Sequence, residues 1–257
     1  VNTVTEIPVP ASDSKQAQEI YLQHVSILAN QVYKSRALDN EFYKLWMKEK
    51  LNPTQLEIFA DNYYHWIAPT VDRLAMTFVA TKDLISRIEI LHNIRDELGG
   101  GHLDGVHIFV LRRWLDGLLT KNAGHPFKNV DPSTTVLLPA TSALTTKSLE
   151  LCVRSAPCAN GAILAQEWHA YTQFVMLYEG FRQYMQAYEL DEFHDLCEYL
   201  YIHIGWAEKE HKEQSIITAV RSCANDQDLA ELEYGYNTFI DLLGDFWDQL
   251  HKEIVAH

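Results

Sequence analysis

Long stretches of helical hydrophobic spacing alternate with short polar breaks along this chain. From Ser14 to Val32, the residues Ile20, Tyr21, His24, Ile27 and Leu28 fall on one stripe at three- and four-residue steps, the period of an amphipathic helix. A second helix is predicted over Asn40–Lys48. Asn52-Pro53 opens a third, since Asn suits the N-cap and Pro the first turn. It runs to Ala80 with a kink at Pro69. Thr81 caps a helix ending at Leu98, where Gly99-Gly100-Gly101 stops it. Further helices are predicted over 103–121, 141–155, 158–188, 191–222 and 227–254. The stretch 122–140 is unpatterned, and a loop of that length in a compact domain goes with function or mobility. No β-alternation persists, and no internal repeat or low-complexity tract occurs. The pattern predicts an all-α bundle of seven to nine helices, one domain over 13–257 behind an irregular arm at 1–12.

Composition narrows the class. At 257 residues, 47% hydrophobic and 22% charged, the chain can bury a core without disulfide or metal staples. Lys plus Arg number 21 against 35 Asp plus Glu, a net charge of −14 that argues against nucleic-acid and anionic-membrane partners. Cys152, Cys158, Cys197 and Cys223 form no CxxC pair, so a reduced, cytoplasmic setting is the expectation. No apolar run is long enough to span a membrane, and no basic-then-apolar leader opens the chain. The C-terminal stripe of Tyr234, Phe239, Leu242, Leu243, Phe246 and Trp247 closes either the core or a homodimer interface, and the sequence leaves both open.

The chemistry lies in histidines and carboxylates within helices that otherwise read as buried, where charge is costly unless paired or bound to metal. The triple glycine follows no strand and reads as a helix stop, and there is no P-loop, GxSxG or HExxH. In YLYIHIGWAEKEHKEQS, Glu208 and His211 stand three apart, one helical turn, the Glu-x-x-His spacing of helical-bundle di-metal sites. On a regular helix His203 lies about 140° from Glu208 and about 80° from His211, so the three converge only if the helix is bulged, which Gly205 permits. Glu208, Lys209, Glu210 and Lys212 also read as a solvated charge face. Glu97 lies one residue from the end of its helix and also reads as a surface residue, and His107 follows ten residues later in an apolar stretch, where it also reads as a core histidine. Glu167 continues the stripe of Ile163, or faces solvent. Asp72 sits among Val71, Leu74, Ala75 and Phe78, or pairs with Arg73 or Arg95.

Taken in order, Asp72, NIRDELGGG with Glu97, His107, GAILAQE with Glu167, and HIGWAEKEH resemble the haem-oxygenase-like di-iron oxidase and oxygenase superfamily over about residues 55–215. Asn-x-x-x-Glu-Leu-Gly-Gly-Gly with His ten after the Glu is the most specific part. The resemblance implies a single haem-oxygenase-like helical bundle, with Glu97 and Glu167 as metal carboxylates and His107 as a histidine ligand. Asp72 stands where the family has Glu. The family's last helix reads His-x-x-x-Asp-x-x-His, and this chain departs from it. Ala207 stands four after His203 and Glu210 seven after, so the pair is restored only by sliding one residue to Glu208 and His211. A bulged helix gives His203, Glu208 and His211, and a regular one gives His203 and Glu210. We adopt the bulged set, which gives His211 a use.

Such N and O ligands without thiolate suit Fe(II) or Mn(II) and leave positions for O2. The resemblance thus implies two Fe(II), with Mn as the substitute, and O2 as co-substrate. The reaction it implies is N-oxygenation, C–C cleavage or desaturation of a small amino acid, amine or carboxylate, in natural-product biosynthesis. Trp66, Tyr63, Tyr64, Trp168, Tyr171, Phe174, Tyr178 and Trp206 line a pocket or belong to the core. Arg95, Arg112, Arg113 and Arg182 are candidates to grip a substrate carboxylate. His65 and His169 read as structural or as supports to the ligands. Two alternatives stay open. One is a metal-free thiaminase-like hydrolase of the same fold class, which needs a nucleophilic Cys beside a carboxylate. The other is a non-enzymatic helical interaction protein.

Overall fold

A computed structural model of the protein describes residues 12–257, with the side chains of 18–205 and 211–257. The arm expected over 1–12 lies outside the described residues except Ser12, which opens α1 (Ser12–Asn30). There follow α2 (Glu41–Lys48), α3 (Pro53–Ile67), α4 (Thr70–Ala80), α5 (Leu84–Glu97), α6 (His107–Asn122), α7 (Pro139–Arg154) and α8 (Ala156–Phe181). The chain closes with α9 (Leu190–Leu196), α10 (Glu198–Ile204), α11 (Trp206–Arg221) and α12 (Asp226–Ala256). No strand occurs among the described residues.

The helices outnumber the expected seven to nine because two long predicted segments are divided. Pro69 does more than kink its segment: it ends α3 and stands at the N-cap of α4, since its ring lacks the amide hydrogen that a continuous helix needs. The segment predicted over 191–222 breaks at Cys197 and again at Gly205, giving α9, α10 and α11. The predicted cap at Asn52 is present as a reciprocal box, with Asn52 Oδ1 accepting from Gln55 N at 3.0 Å and Gln55 Oε1 accepting from Asn52 N at 2.9 Å. The cap of α5 is Asp83 and not Thr81, its carboxylate accepting from Ser86 N at 2.8 Å.

The buried α8 organises the bundle. It is apolar around most of its circumference, as an interior helix must be, and α12, α11, α7, α2, α10 and α4 pack around it. Contact with α12 is backbone-close: a Cβ on Gly161 would lie 2.1 Å from Leu232 O, and one on Gly235 2.1 Å from Cys158 O. Phe42 stacks on Phe59 and Trp247 at 5.5 and 4.9 Å between centroids, tying α2, α3 and α12 together. Phe239, Leu243, Phe246 and Trp247 are wholly buried, so the C-terminal stripe closes the core, while Tyr234 at its edge is exposed. With one side of α8 filled this way, its opposite side packs on α10 and α11 and bonds α5 through Glu167 and Asn93, and there the polar cluster forms. No helix among the described residues is long and apolar enough to cross a membrane.

Candidate metal centre

Glu97 is the last residue of α5 and His107 the first of α6. The turn between them depends on glycine. Gly99, Gly100 and Gly101 have φ of 69°, 64° and 97°, the left-handed region that other residues avoid. Gly99 also presses on the returning arm of the loop, where a Cβ would lie 2.5 Å from the Gly105 carbonyl carbon. The chain therefore doubles back within ten residues and sets His107 Nδ1 3.3 Å from Glu97 Oε2.

His203 completes the cluster from α10. Its ring stacks on Phe174 (4.1 Å, 13°) and meets His107 edge-on at 4.7 Å. Its Nδ1 lies 2.7 Å from Tyr199 O. A carbonyl only accepts, so Nδ1 carries the proton and Nε2 keeps its lone pair, the tautomer a metal ligand needs. One donor atom from each of Glu97, His107 and His203 lies within 4.8 Å of the others. Among the described residues no other trio of such side chains is this close.

Electrostatics set these groups apart from a simple ion pair. Burial works to raise the Glu97 carboxyl, but the His107 contact, with His203 and His211 beyond, holds it below the ordinary range. Burial works to lower His107, and the same Glu97 contact outweighs it, so His107 is raised. Burial and the neighbouring His107 push His203 down to about 4, leaving it neutral. His107 Nδ1, though close to Glu97, is off-line for a hydrogen bond and is a buried nitrogen with no other partner. Two donors converging on one point, each poorly aligned to the other, are what a shared cation requires.

Glu167 stands on α8 at 5% exposure. Its Oε1 accepts from Asn93 Nδ2 at 3.2 Å and Gln166 Nε2 at 3.3 Å. Burial raises its carboxyl, and Glu97 adds to the effect while His211 opposes it. His211 lies on α11 with Nε2 3.1 Å from Asp96 Oδ2. Asp72 is the residue that the geometry leaves out: it is exposed on α4, and Arg73 takes the inward position. The Glu208 side chain lies outside the described residues. The bulge expected around Gly205 is instead a break, with Gly205 at φ −73°, ψ −170° between two helices. Angular offsets along one continuous helix therefore do not relate His203 to His211.

Two hollows meet at Glu167. The inner one, about 40 Å³, is lined by Glu97, His107 and His203 with Trp66, Thr70 and Phe174. The outer one, about 270 Å³, opens between α5, α8 and α11 onto Glu167, Asp96 and His211, with Arg95 on its wall. Of the predicted aromatics Trp66 and Phe174 line the inner hollow, Tyr64 packs on Phe127, Trp168 meets Lys212, and Tyr171 is exposed. Arg112, Arg113 and Arg182 face Asp116, Glu198 and Glu179 instead. His65 bonds Asn129 O at 2.8 Å, and His169, on the wall of the inner hollow, bonds Ala165 O at 3.1 Å. Sequence reasoning missed Asn93, Asp96, Gln166 and Arg73 as neighbours of the centre. Adjacency to Glu97 and Glu167 was the available signal for Asp96 and Gln166 and the Asn-x-x-x-Glu motif that for Asn93, whereas Arg73 meets its partners only through the tertiary fold.

The donors present are carboxylate oxygens and imidazole nitrogens, a set that fits Fe(II) or Mn(II), and the orphaned His107 nitrogen has the place of a ligand atom. An all-α bundle with a carboxylate–histidine centre between its helices is the class these observations define. The chain belongs to a family of iron-containing redox enzymes, whose sequence model matches residues 57–244. A 4-aminobenzoate synthase of Chlamydia pneumoniae is 33% identical over 82 residues, covering 31% of this chain and 37% of that protein. The chain thus matches just over a third of that relative's length.

Among solved structures, a CADD-like protein of unknown function from Nostoc punctiforme has a TM-score of 0.70 at 19% identity, over 91% of this chain and 98% of that one. A TenA homolog from Pseudomonas syringae has a TM-score of 0.72 at 15% identity, over 90% and 93%. A heme oxygenase-like domain from Shewanella denitrificans has a TM-score of 0.63 at 14% identity, over 96% and 94%. At these identities the likeness establishes the haem-oxygenase-like fold alone.

Proposed function

We propose that this protein is a non-haem di-iron oxidase or oxygenase that uses O2 on a small amino acid, amine or carboxylate, as in natural-product biosynthesis. Glu97, His107 and His203 would hold one ion, and Glu167, His211 and the α11 residue Glu208 would serve the second. The observation that carries this reading is the convergence of Glu97, His107 and the tautomer-fixed His203 within 4.8 Å, with the buried His107 Nδ1 3.3 Å from Glu97 and making no hydrogen bond. When bound, iron supplies the one-electron chemistry and O2 activation that side chains lack.

The protein's own groups do the rest. The Tyr199 carbonyl and the Phe174 ring hold His203 in one orientation. Phe174 and Trp66 line the inner hollow, and its 40 Å³ leaves no room for a substrate there. The outer hollow of 270 Å³ suits a small molecule, with Arg95 on its wall to take a carboxylate.

Similarity in fold to a TenA homolog raises the metal-free hydrolase as a second reading. The cysteines oppose it. Burial raises the Cys152, Cys158, Cys197 and Cys223 thiols, and none of the four lines either hollow.

Anaerobic Fe(II) titration with Mössbauer readout, followed by O2-uptake assays over amino acids, amines and carboxylates, tests the proposal. Two irons per chain and substrate-dependent O2 consumption are expected. A chain that takes up no iron would return the hydrolase reading to first place.

A further inference from the structure

Arg73 is the largest charged side chain wholly removed from solvent, at 0% exposure. Its Nε donates to Gln166 Oε1 at 2.8 Å, Nη1 to Trp66 O at 3.2 Å and Nη2 to Thr70 Oγ1 at 2.8 Å. The guanidinium carbon lies 5.3 Å over the Trp66 ring. No carboxylate among the described residues forms an ion pair with it. Burial lowers Arg73 to about 10, so it stays charged at neutral pH, with Glu97, Asp72 and Glu167 as more distant counter-charges. A buried cation of this kind costs more than an apolar side chain of equal volume, so its position calls for a use.

Trp66, Thr70 and Gln166 all line the inner hollow, so Arg73 forms the layer behind that wall. A guanidinium has donors only. Gln166 must therefore turn its carbonyl oxygen to Arg73, and that choice sends its amide nitrogen to Glu167 Oε1, 3.3 Å away. Asn93 donates to the same oxygen. Glu167 Oε2 accepts no hydrogen bond from any described residue. The carboxylate is thus made unequal among the described residues: one oxygen is held by two amides and the other by none.

We propose that Arg73 and Gln166 are positioning residues for Glu167, fixing its carboxylate so that Oε2 alone is offered to a metal ion. The inference rests on the di-iron reading above and names the layer that sets one ligand's geometry. Removing such support typically costs about 10- to 100-fold in metal affinity.

The test is titration of the metal-free full-length chain with Co(II), whose visible band reports coordination number, in wild type, Gln166→Met and Arg73→Lys. Thermal melting of each metal-free chain runs in parallel. Gln166→Met fills nearly the same volume but cannot donate. It is expected to keep the first Co(II) equivalent at Glu97, His107 and His203. The second equivalent should bind at least about tenfold more weakly with an altered band, because Glu167 Oε1 keeps only the Asn93 donor and the carboxylate is no longer fixed in one orientation. Arg73→Lys keeps a donor for Gln166 Oε1 and should stay within about threefold of wild type. Should Gln166→Met not fold, Gln166→Glu keeps the oxygen that Arg73 needs and removes the donor, and its band must also change.

An unchanged second equivalent and band in Gln166→Met, or in Gln166→Glu where that variant replaces it, overturns the relay. So does parallel weakening of both equivalents in proportion to the melting temperature, which marks a merely structural role. Wild type that binds no Co(II) and no Fe(II) overturns the di-iron reading itself, and the relay with it.

Discussion

Glu97 and His107 end one helix and begin the next, and their side chains meet at 3.3 Å because the nine residues between them fold back on a glycine turn. The ten-residue spacing is thus a consequence of the turn. Three successive positive φ values reverse the chain, and the contact of Gly99 with Gly105 seals the loop.

The first prediction tests that dependence. Gly100→Ala meets nothing within 4 Å and incurs only the strain of a left-handed alanine, about 1–2 kcal/mol. Gly99→Ala incurs the same strain and also drives a methyl to 2.5 Å from the Gly105 backbone, so the loop must open. Gly99→Ala should lose iron affinity by about tenfold or more, while Gly100→Ala melts slightly lower and binds iron normally. Equal iron binding by the two variants would show that the loop does not set the ligand geometry.

Ligand variants make the second prediction. A ligand present at about 100 times its Kd stabilises by about 2.7 kcal/mol, or roughly 5–10 °C in Tm for a chain of this size. Glu97→Gln, His107→Ala and His203→Ala should each abolish the Fe(II)-induced rise in Tm from the first equivalent, with far-UV circular dichroism nearly unchanged. Asp72→Ala, on the exposed side of α4, should keep the full rise.

Asp72 shows where sequence reading reaches its limit. Asp72 and Arg73 are adjacent charged residues in an apolar stretch, and hydrophobic period alone gives neither a reason to face inward. The structure buries Arg73 because Trp66 O from α3, Thr70 from the start of α4 and Gln166 from α8 meet its donors. That coincidence exists only after folding. Spacing alone left Glu97 and His107 open as a surface carboxylate and a core histidine, and the pair was legible through the family resemblance, whose most specific stretch is this local one with its glycines. Gly205 was legible as an irregularity, but periodicity does not distinguish a bulge from the break that separates α10 from α11. The number of helices was underestimated for the same reason at Cys197.

Acid lability is the third prediction. Burial holds His169 and His203 down to about 4, against an ordinary value of 6.5. The unfolded chain accepts protons on both below about pH 6.5, whereas the folded chain accepts them only near pH 4. The unfolded state therefore binds more protons across that window, and stability falls as pH drops from 6.5 to 4, with no further loss from these groups below it. A tenfold change in proton affinity is worth about 1.4 kcal/mol, so each histidine contributes up to about 3 kcal/mol. Urea unfolding of the metal-free protein at pH 7, 5.5 and 4 measures this, and His169→Gln should remove roughly half of the loss. Stability that stays level from pH 7 to 4 would contradict the assignment of both rings as neutral.

The packing of α8 on α12 gives the fourth. Alanine in place of a helical glycine gains about 1 kcal/mol in propensity. At Gly235 and Gly161 that gain loses to sterics, since each new Cβ would sit 2.1 Å from a carbonyl oxygen of the facing helix. Separating two helices that bury most of the core forfeits contacts worth several kcal/mol. Gly235→Ala should lower Tm by about 5 °C or more, measured by calorimetry, and an unchanged Tm would mean that the two helices do not approach this closely.

The fifth concerns how many ions the centre holds. His211 enters from a helix separated from His203 by the Gly205 break, and it faces the outer hollow together with Glu167 and Asp96. Asp96 lies within 3.1 Å of the imidazole but is half-exposed, so it orients His211 from the solvent side. If the second ion depends on His211, then His211→Ala should bind one Fe(II) where wild type binds two, because Glu97, His107 and His203 are untouched. Asp96→Asn keeps an acceptor for the ring and should retain both, with affinity for the second reduced by less than about tenfold. Mössbauer spectra of the iron-loaded variants separate the cases: a single high-spin Fe(II) species in His211→Ala supports the assignment, and a full pair removes His211 from the ligand set. Glu210→Ala on α11 serves as the control, and loss of one iron there with His211→Ala intact would move the second site to Glu210.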